Sequence, residues 1–214
     1  MIKKSRHKRT DTPDQIEAPV KRKKKSNATE VIGNIRIIAG DWRSRKINVI
    51  DQDGLRPTTN RVKETVFNWL QVSLSAAKVL DVFAGTGSLG LEALSRGAQS
   101  CHFNELSAPV SIMLKQNIES LGAQDKSKVT SQNALMLLKG SCVDSMDLVL
   151  LDPPFGLNIY TECFELMLQN GWVKQGSLIY CESGRRVDFD VPAGLKLKKE
   201  KVAGQVCCRL FEVI

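Results

Sequence analysis

The sequence has no run of about 20 apolar residues, the length that a helix needs to cross a membrane. Its first ten residues are rich in Lys and Arg and lack the apolar segment of an export signal. We therefore expect a cytoplasmic protein with no membrane partner.

Cysteine patterns typical of metal sites are also missing. The six cysteines include no C-x-x-C pair, and only two histidines, His7 and His102, could assist them. This spacing argues against a zinc site, and a reducing cytosol argues against a disulfide framework. We expect no metal and buried free thiols. His102 is the only histidine on its predicted strand, so we assign it no role.

Acidic residues are scarce at the amino terminus. Residues 1–30 hold ten basic and four acidic side chains and few apolar ones, so we expect a disordered basic arm. The five consecutive cations at 21–25 suit the phosphates of a nucleic acid, although solvated or nuclear-localisation-like tails have similar runs.

Two short apolar segments follow the arm. Ile35–Ala39 and Lys46–Ile50 flank a turn at Gly40-Asp41-Trp42, which predicts a β-hairpin within an extension over residues 31–57. Cations beside Trp42 suit RNA backbone contacts and base stacking, although a single Trp more often packs against its own domain. The candidate RNA-binding residues here and just beyond are Arg36, Arg43, Arg45, Lys46, Arg56 and Arg61.

Strand and helix patterns alternate over residues 58–214. An amphipathic helix, which we expect Asn60 to cap, precedes five apolar strands separated by helical segments. This alternation is typical of a parallel sheet with helices on both faces. The last two strands, near 195–202 and 205–213, leave no room for a helix and predict an antiparallel hairpin. The predicted strands are Val79–Phe83, Ser100–Phe103, Lys128–Thr130, Leu148–Leu151 and Ser177–Cys181, and the helices begin at Ser88, at Ser107, near Ala134 and near Tyr160.

A glycine motif, Gly85-Thr86-Gly87-Ser88-Leu89-Gly90, joins the first of these strands to a helix. Its glycines allow a ligand to approach the backbone, and the helix N-terminus attracts negative charge. The pattern alone does not separate a dinucleotide from S-adenosylmethionine, because Glu105 suits the ribose hydroxyls of either. A tight turn without a ligand also remains open. Asp81 favours the methionine ammonium, since a pyrophosphate would be repelled by a carboxylate there.

The sequence Asp152-Pro153-Pro154-Phe155 follows a purely apolar strand, so it projects from the carboxyl edge of the sheet. A carboxylate and a backbone carbonyl can accept both N–H bonds of an amine conjugated to a base, which directs its lone pair toward a methyl donor. The prolines stiffen the loop, and Phe155 can stack on a base taken out of its helix. The alternative is a rigid loop without chemistry. These four residues are the candidate catalytic residues.

The motifs together resemble the amino-methyltransferases that use S-adenosylmethionine, and three further segments resemble the RsmD family. These segments are 36–43 (RIIAGDWR), 54–68 (GLRPTTNRVKETVFN) and 201–206 (KVAGQV). The resemblance implies a Rossmann-like class I methyltransferase fold with a seven-stranded sheet. It also implies methylation of the exocyclic N2 of the guanine at position 966 of bacterial 16S ribosomal RNA, within the assembling small subunit.

The resemblance also implies which residues form the cofactor site. Asn133 stands where many methyltransferases have an Asp against adenine, and its carbonyl oxygen can still accept the adenine amine. Asn60 replaces an expected Asp, and the basic arm is longer than the family needs. The candidate cofactor-binding residues are Asp81, Phe83, Ala84, Gly85, Thr86, Gly87, Glu105, Asn133 and Ala134.

Three other functions fit parts of the sequence. A DNA adenine-N6 methyltransferase uses a similar Asp-Pro-Pro-aromatic motif but usually needs a further target-recognition region. A nicotinamide oxidoreductase explains the glycine motif and not Asp152–Phe155. A ribosome-assembly protein without enzymatic activity explains the charge and neither motif. We expect a monomeric RNA methyltransferase acting on small-subunit particles.

Overall fold

The computed structural model describes residues 31–50, 60–154 and 156–214. The basic arm, the segment 51–59 with Arg56, and Phe155 lie outside this part of the chain. The strands are β1 (Val31–Arg36), β2 (Lys46–Ile50), β3 (Lys78–Asp81), β4 (Ser100–Asn104), β5 (Ser127–Thr130), β6 (Met146–Leu151), β7 (Val173–Gly184), β8 (Leu195–Ala203) and β9 (Val206–Val213). The helices are α1 (Asn60–Leu70), α2 (Ser88–Ser95), α3 (Ala108–Leu121), α4 (Ala134–Lys139) and α5 (Tyr160–Gln169), with a short 3₁₀ turn at Gln124–Lys126.

Seven strands form one sheet in the order β5-β4-β3-β6-β7-β9-β8. The first five in this order pair in parallel, whereas β9 is antiparallel to β7 and β8 is antiparallel to β9. The predicted α/β fold, a mostly parallel seven-stranded sheet ending in an antiparallel hairpin, is therefore confirmed. The chain reverses its direction of travel across the sheet between β3 and β6, and open α/β sheets bind ligands at such a switch point.

Two hydrophobic cores lie on the two faces of this sheet. Leu148 and Leu150 belong to the core that α1, α2 and α3 cover, whereas Val149 and Leu151 belong to the core under α4 and α5. Alternate residues of a strand point to opposite faces, so a strand segment buried on both sides is apolar throughout, as the last four residues of β6 are. All six cysteines are free thiols, and five of them are buried.

The hairpin β1–β2 is a separate two-stranded sheet that shares the first core. Ile37 and Ile47 are 2% and 1% exposed and pack in the same cluster as residues of α1 and α2. The strand predicted over Ile35–Ala39 lies earlier, because β1 ends at Arg36. The N–H groups of Ile38 and Ala39 donate to the Glu92 carboxylate, at 2.8 and 3.1 Å, and not to a neighbouring strand.

Two other predicted boundaries differ from the structure. Strand β7 extends well beyond Ser177–Cys181, because it pairs with β9 as far as Gly184. Asn60 is the first residue of α1 and not the capping residue before it, and the preceding residue lies outside the described chain. Within the described ranges, no helix is long and apolar enough to span a membrane, and no group of three His, Cys, Asp or Glu residues could hold a metal ion.

Candidate active site

The loops that follow β3, β4, β5 and β6 meet at the carboxyl edge of the sheet, because parallel strands share that edge. Backbone hydrogen bonds tie these loops to one another. The N–H of Ala84 donates to the carbonyl of Asn104 at 2.9 Å, and the N–H of Glu105 donates to the carbonyl of Thr130 at 3.0 Å. Candidate residues that are 20 or more positions apart in the sequence thus come together.

The glycine motif forms the tight turn between β3 and α2. Gly85 and Gly87 have φ values of 53° and 94°, a left-handed conformation that side chains other than glycine rarely adopt. Asp81, at the end of β3, is only 2% exposed, and its Oδ2 accepts the N–H of Gly90 at 3.0 Å. The carboxylate predicted to face a ligand therefore also braces the start of α2.

Glu105 lies beside this turn, in the loop after β4. Its Oε2 accepts the N–H of Gly85 at 2.9 Å, and its Oε1 accepts the N–H of Ser107 at 2.7 Å. Each carboxylate oxygen can accept a second hydrogen bond, so Glu105 still has acceptors for ribose hydroxyls. Its contact with the ribose stays a prediction. The two backbone bonds hold the carboxylate against the glycine turn.

The two carboxylates influence each other. Burial raises the pKa of Asp81 to about 7, and the nearby charge of Glu105 contributes to the rise. Burial also raises the pKa of Glu105, although its two backbone hydrogen bonds oppose that effect. A coupled acidic pair beside the glycine turn repels a pyrophosphate and attracts a cation such as an ammonium or sulfonium group.

The other candidate cofactor residues lie on the same edge. Ala84 and Thr86 are buried in the glycine turn, and Phe83 is half-buried against the core under α4 and α5. Asn133 caps α4, since its Oδ1 accepts the N–H groups of Leu135 and Met136 at 2.9 and 3.2 Å. The oxygen predicted to receive the adenine amine already accepts two bonds, which adenine would have to displace.

The residues Asp152-Pro153-Pro154 leave β6 at the switch point, next to the loop that follows β3. Asp152 is half-buried, Pro153 is buried and Pro154 is exposed. The carbonyl of Pro154 accepts the N–H of Leu157 at 3.3 Å, which closes a turn. Phe155 lies outside the described residues. The Asp152 carboxylate and the glycine turn thus follow the ends of two neighbouring strands, β6 and β3.

The candidate RNA-binding side chains in the described chain are all exposed, but they lie in different places. The guanidinium of Arg45 donates to the carbonyl of Ser120 at 2.6 Å, and the N–H of Asp41 donates to the carbonyl of Ser95 at 2.8 Å. These serines lie at or next to the ends of α3 and α2, which face the amino edge of the sheet. Strands of four to six residues put this turn about 15–20 Å from the carboxyl edge.

This placement affects the cations around the hairpin turn. Arg43, Arg45 and Lys46 belong to the amino edge, away from Asp152, whereas Arg61 lies in the first turn of α1. Trp42 is half-buried against the core under α1, α2 and α3, which favours the alternative that it packs against its own domain.

The residues 201–206 lie beside the candidate site. They form the turn between β8 and β9, where Ala203 pairs with Val206 and Val206 pairs with Gly184 at the carboxyl end of β7. The Lys201 ammonium lies 3.4 Å from Thr65 Oγ1, so α1 reaches the same edge. This segment, which was singled out by resemblance alone, thus borders the predicted active site.

Sequence reasoning missed several buried polar residues. Glu182, near the end of β7, is 6% exposed, and its Oε2 accepts the hydroxyl of Tyr180 at 2.8 Å. Lys63 and Glu92 are fully buried, with 3.9 Å between Nζ and Oε2. A carboxylate at the carboxyl end of an apolar strand is the signal that singled out Asp152, and it could also have found Glu182.

Comparison with known proteins adds independent findings. The family described as Conserved hypothetical protein 95 matches residues 35–212. Ribosomal RNA small subunit methyltransferase D of Haemophilus influenzae is 42% identical over 191 residues, which cover 88% of this chain and 99% of that protein. The protein of the same name from Escherichia coli K12 is 45% identical over 183 residues, covering 84% and 90%.

Solved structures show the same similarity. The yhhF protein of Escherichia coli, described as a methyltransferase, superposes with a TM-score of 0.77 at 43% identity, covering 85% of this chain and 98% of that one. An RNA methyltransferase from Salinibacter ruber in complex with S-adenosyl-L-homocysteine superposes with a TM-score of 0.57, covering 74% and 94%. Its identity is 10%, so it is similar in fold alone.

Proposed function

Because this chain belongs to the RsmD family of ribosomal RNA small subunit methyltransferases, we propose that it methylates the exocyclic N2 amine of one guanine, position 966, in 16S ribosomal RNA. The observation that carries this proposal is the switch point of the sheet. An acceptor-rich loop for an amine there lies beside an acidic pair suited to a cationic cofactor.

S-adenosylmethionine is the methyl donor, and when bound it supplies an electrophilic methyl group on a positively charged sulfur. The acidic side chains of Asp81 and Glu105 fit this cofactor better than a dinucleotide, since carboxyl groups next to the glycine turn suit a cation and not a pyrophosphate. We assign its methionine end to Asp81 and its ribose to Glu105. The remaining candidate residues, Phe83, Ala84, Gly85, Thr86, Gly87, Asn133 and Ala134, line the same edge.

The guanine amine is assigned to Asp152 and the backbone carbonyl of Pro153. A carboxylate and a backbone carbonyl are both hydrogen-bond acceptors, so together they can take both N–H bonds of the amine, and the prolines add no N–H donor of their own to the loop. Their contribution is orientation of the lone pair toward the methyl group and stabilisation of the positive charge that develops on nitrogen. Phe155 is assigned to stack on the base.

The RNA partner is assigned to the cationic surfaces. We propose that Arg36, Arg43, Arg45, Lys46, Arg56 and Arg61 contact the ribosomal RNA of a small-subunit particle in the cytoplasm, with the protein acting as a monomer. In this proposal residues 1–30 form a basic arm, residues 31–57 an RNA-binding extension and residues 58–214 the methyltransferase body. Contacts at the hairpin turn position the particle from the amino edge, at a distance from the reacting base.

One experiment tests the reaction and the target together. Tritiated S-adenosylmethionine is incubated with the full chain and undermethylated small subunits, and the labelled nucleotide is mapped. We expect one labelled guanine carrying the methyl group on N2, and far slower labelling with Asp152→Ala. Label on DNA adenine would support the alternative enzyme, and binding without transfer would support an assembly protein.

A further inference from the structure

Glu182 lies next to Asp152 in the sheet. In the parallel pairing of β6 with β7, Leu151 is the partner of Cys181. The residue that follows each of them is an acid: Asp152 just after the end of β6, and Glu182 within β7. Adjacent parallel strands are about 4.8 Å apart. Two acids that are 30 positions apart in the sequence therefore lie side by side at the carboxyl edge.

Both side chains lie near the same tyrosine. Tyr180 is fully buried in the core under α1, and its hydroxyl donates to Glu182 Oε2 at 2.8 Å. Burial raises the pKa of Tyr180, and the charges of both Glu182 and Asp152 raise it further. The two carboxylates thus lie close enough to Tyr180 to affect its ionisation, and the tyrosine hydroxyl orients the Glu182 carboxylate.

A carboxylate that is 6% exposed loses most of its hydration, and a second acid on the neighbouring strand adds like-charge repulsion. Neighbouring acidic groups of this kind are common at binding sites, where a ligand with several donors can add hydrogen bonds to them.

Guanine presents that set of donors. Its Watson–Crick edge carries N1–H next to the N2 amine, so N1–H and one N–H of the amine point in nearly the same direction, while the second N–H of the amine points toward the N3 side. Adenine has an acceptor at N1 and presents no such row. Enzymes that act on an extruded base read this edge by hydrogen bonds.

We propose that Glu182 is the specificity residue that accepts N1–H of the target guanine, while Asp152 and the Pro153 carbonyl hold its N2 amine. This inference rests on the proposed guanine-N2 methylation and extends it. The Tyr180 hydroxyl orients Glu182 and is a positioning group, since it bonds the carboxylate from within the core.

The test replaces the target guanine by 2-aminopurine in reconstituted small subunits. This base keeps the 2-amino group but has an acceptor at N1. Wild-type protein should methylate guanine at least roughly tenfold faster in single turnover, because a site built to accept a hydrogen bond rejects an analogue that lacks it. In Glu182→Gln the amide can donate to N1, so the preference should fall by about tenfold or more while cofactor affinity stays unchanged.

Two further variants make the result decisive. Glu200→Gln is the matched control, because Glu200 lies on the edge strand β8 and pairs with Arg209 at 2.7 Å, and it should keep the wild-type preference. Tyr180→Phe removes only the orienting hydroxyl and should lower the preference severalfold, which provides a second test if Glu182→Gln does not fold.

An equal rate on both bases with wild-type protein would overturn the inference, as would an unchanged preference in Tyr180→Phe and in a folded Glu182→Gln. Either result leaves the proposed function intact if guanine N2 is the methylated atom. If wild-type protein methylates no guanine N2, the proposed function fails first.

Discussion

Three candidate carboxylates lie at the carboxyl edge, and the fold holds each of them differently. Glu105 is fixed by two backbone N–H groups, Asp81 is buried against the start of α2, and Asp152 is half-buried on a loop stiffened by prolines. Substitution of each should therefore affect a different measurement.

Removal of Glu105 should weaken cofactor binding. Charge-assisted hydrogen bonds to the ribose contribute about 1.5–3 kcal/mol each, so Glu105→Ala should raise the dissociation constant at least roughly tenfold. Titration calorimetry with S-adenosylmethionine measures this, and Glu119→Ala, an exposed acid on α3, is the control. Equal affinity in wild type and Glu105→Ala would remove the ribose assignment.

Removal of the Asp152 carboxylate should stop methyl transfer without loss of the cofactor. Loss of an electrostatic acceptor of this kind costs about 10²–10³ in rate. We expect Asp152→Ala to show that loss in single turnover, with an unchanged dissociation constant for S-adenosylmethionine. A near-normal single-turnover rate would mean that the carboxylate is structural.

Asp81 should make stability depend on pH near neutrality. Burial raises its pKa from 3.8 to about 7, so the folded state retains a proton that the unfolded state has already released. The fold is then favoured at low pH, and that contribution is lost as pH rises from about 4 to about 7. We expect the unfolding free energy of wild type, relative to Asp81→Asn, to fall over this range in urea titrations. A constant difference would contradict the raised pKa.

At the scale of elements, polar side chains of α2 attach the hairpin β1–β2 to the rest of the fold. Ser95 Oγ accepts the N–H of Trp42 at 3.0 Å and donates to the carbonyl of Ala39 at 2.6 Å. Glu92 also binds Arg96 at 2.8 Å, so one buried carboxylate joins the hairpin to α2. The segment 36–43 therefore has a structural role, because it supplies the hairpin's contacts with α2.

Gly40→Ala should detach this hairpin. Gly40 has φ of 84°, and a Cβ atom there would overlap the backbone carbonyl of Ser95. Strain in this region costs about 1–3 kcal/mol before any displacement of α2. Urea unfolding measures the loss, and Gly33→Ala in β1, with open space around the added carbon, should change stability much less. Similar stabilities for the two variants would contradict the docking.

At the scale of the whole molecule, the two basic regions of the sequence are attached to opposite edges of the sheet. The basic arm precedes β1, and Val31 at the start of β1 pairs with Ile50, which packs on α3 near its N-terminus. The arm therefore joins the body on the side of the cofactor loops. The hairpin turn with Arg43 and Arg45 lies at the other edge.

The two basic regions should do different work. Deletion of residues 1–30 should weaken RNA binding at low salt and reduce the salt slope by about 0.7–0.9 for each lost phosphate contact, with the methylated nucleotide unchanged. Arg43→Ala with Arg45→Ala should reduce methylation of particles more than cofactor binding. Filter binding and methylation across a salt series measure both. Equal salt slopes with and without residues 1–30 would show that the arm does not bind RNA. Full methylation activity in the double arginine variant would show the same for the hairpin turn.

The sequence by itself determined the layered fold and brought the candidate site residues to one edge of the sheet. Alternating apolar strands and helical patterns require a parallel sheet, and parallel strands place the residues that follow them at one edge. Gly85–Gly90, Glu105 and Asp152 each follow a predicted strand, so local patterns were enough to bring them together. Those patterns depend on neighbours in the chain, which a sequence displays directly.

Only the tertiary structure decided which residues meet across long separations. The register of β6 with β7 puts Asp152 beside Glu182, and helix packing joins Glu92 to the hairpin. The same packing placed Arg45 at the amino edge, a position that its sequence-based grouping with the other candidate RNA-binding cations did not specify. Strand order, register and helix docking are set by the fit of whole surfaces, and no local pattern encodes that fit.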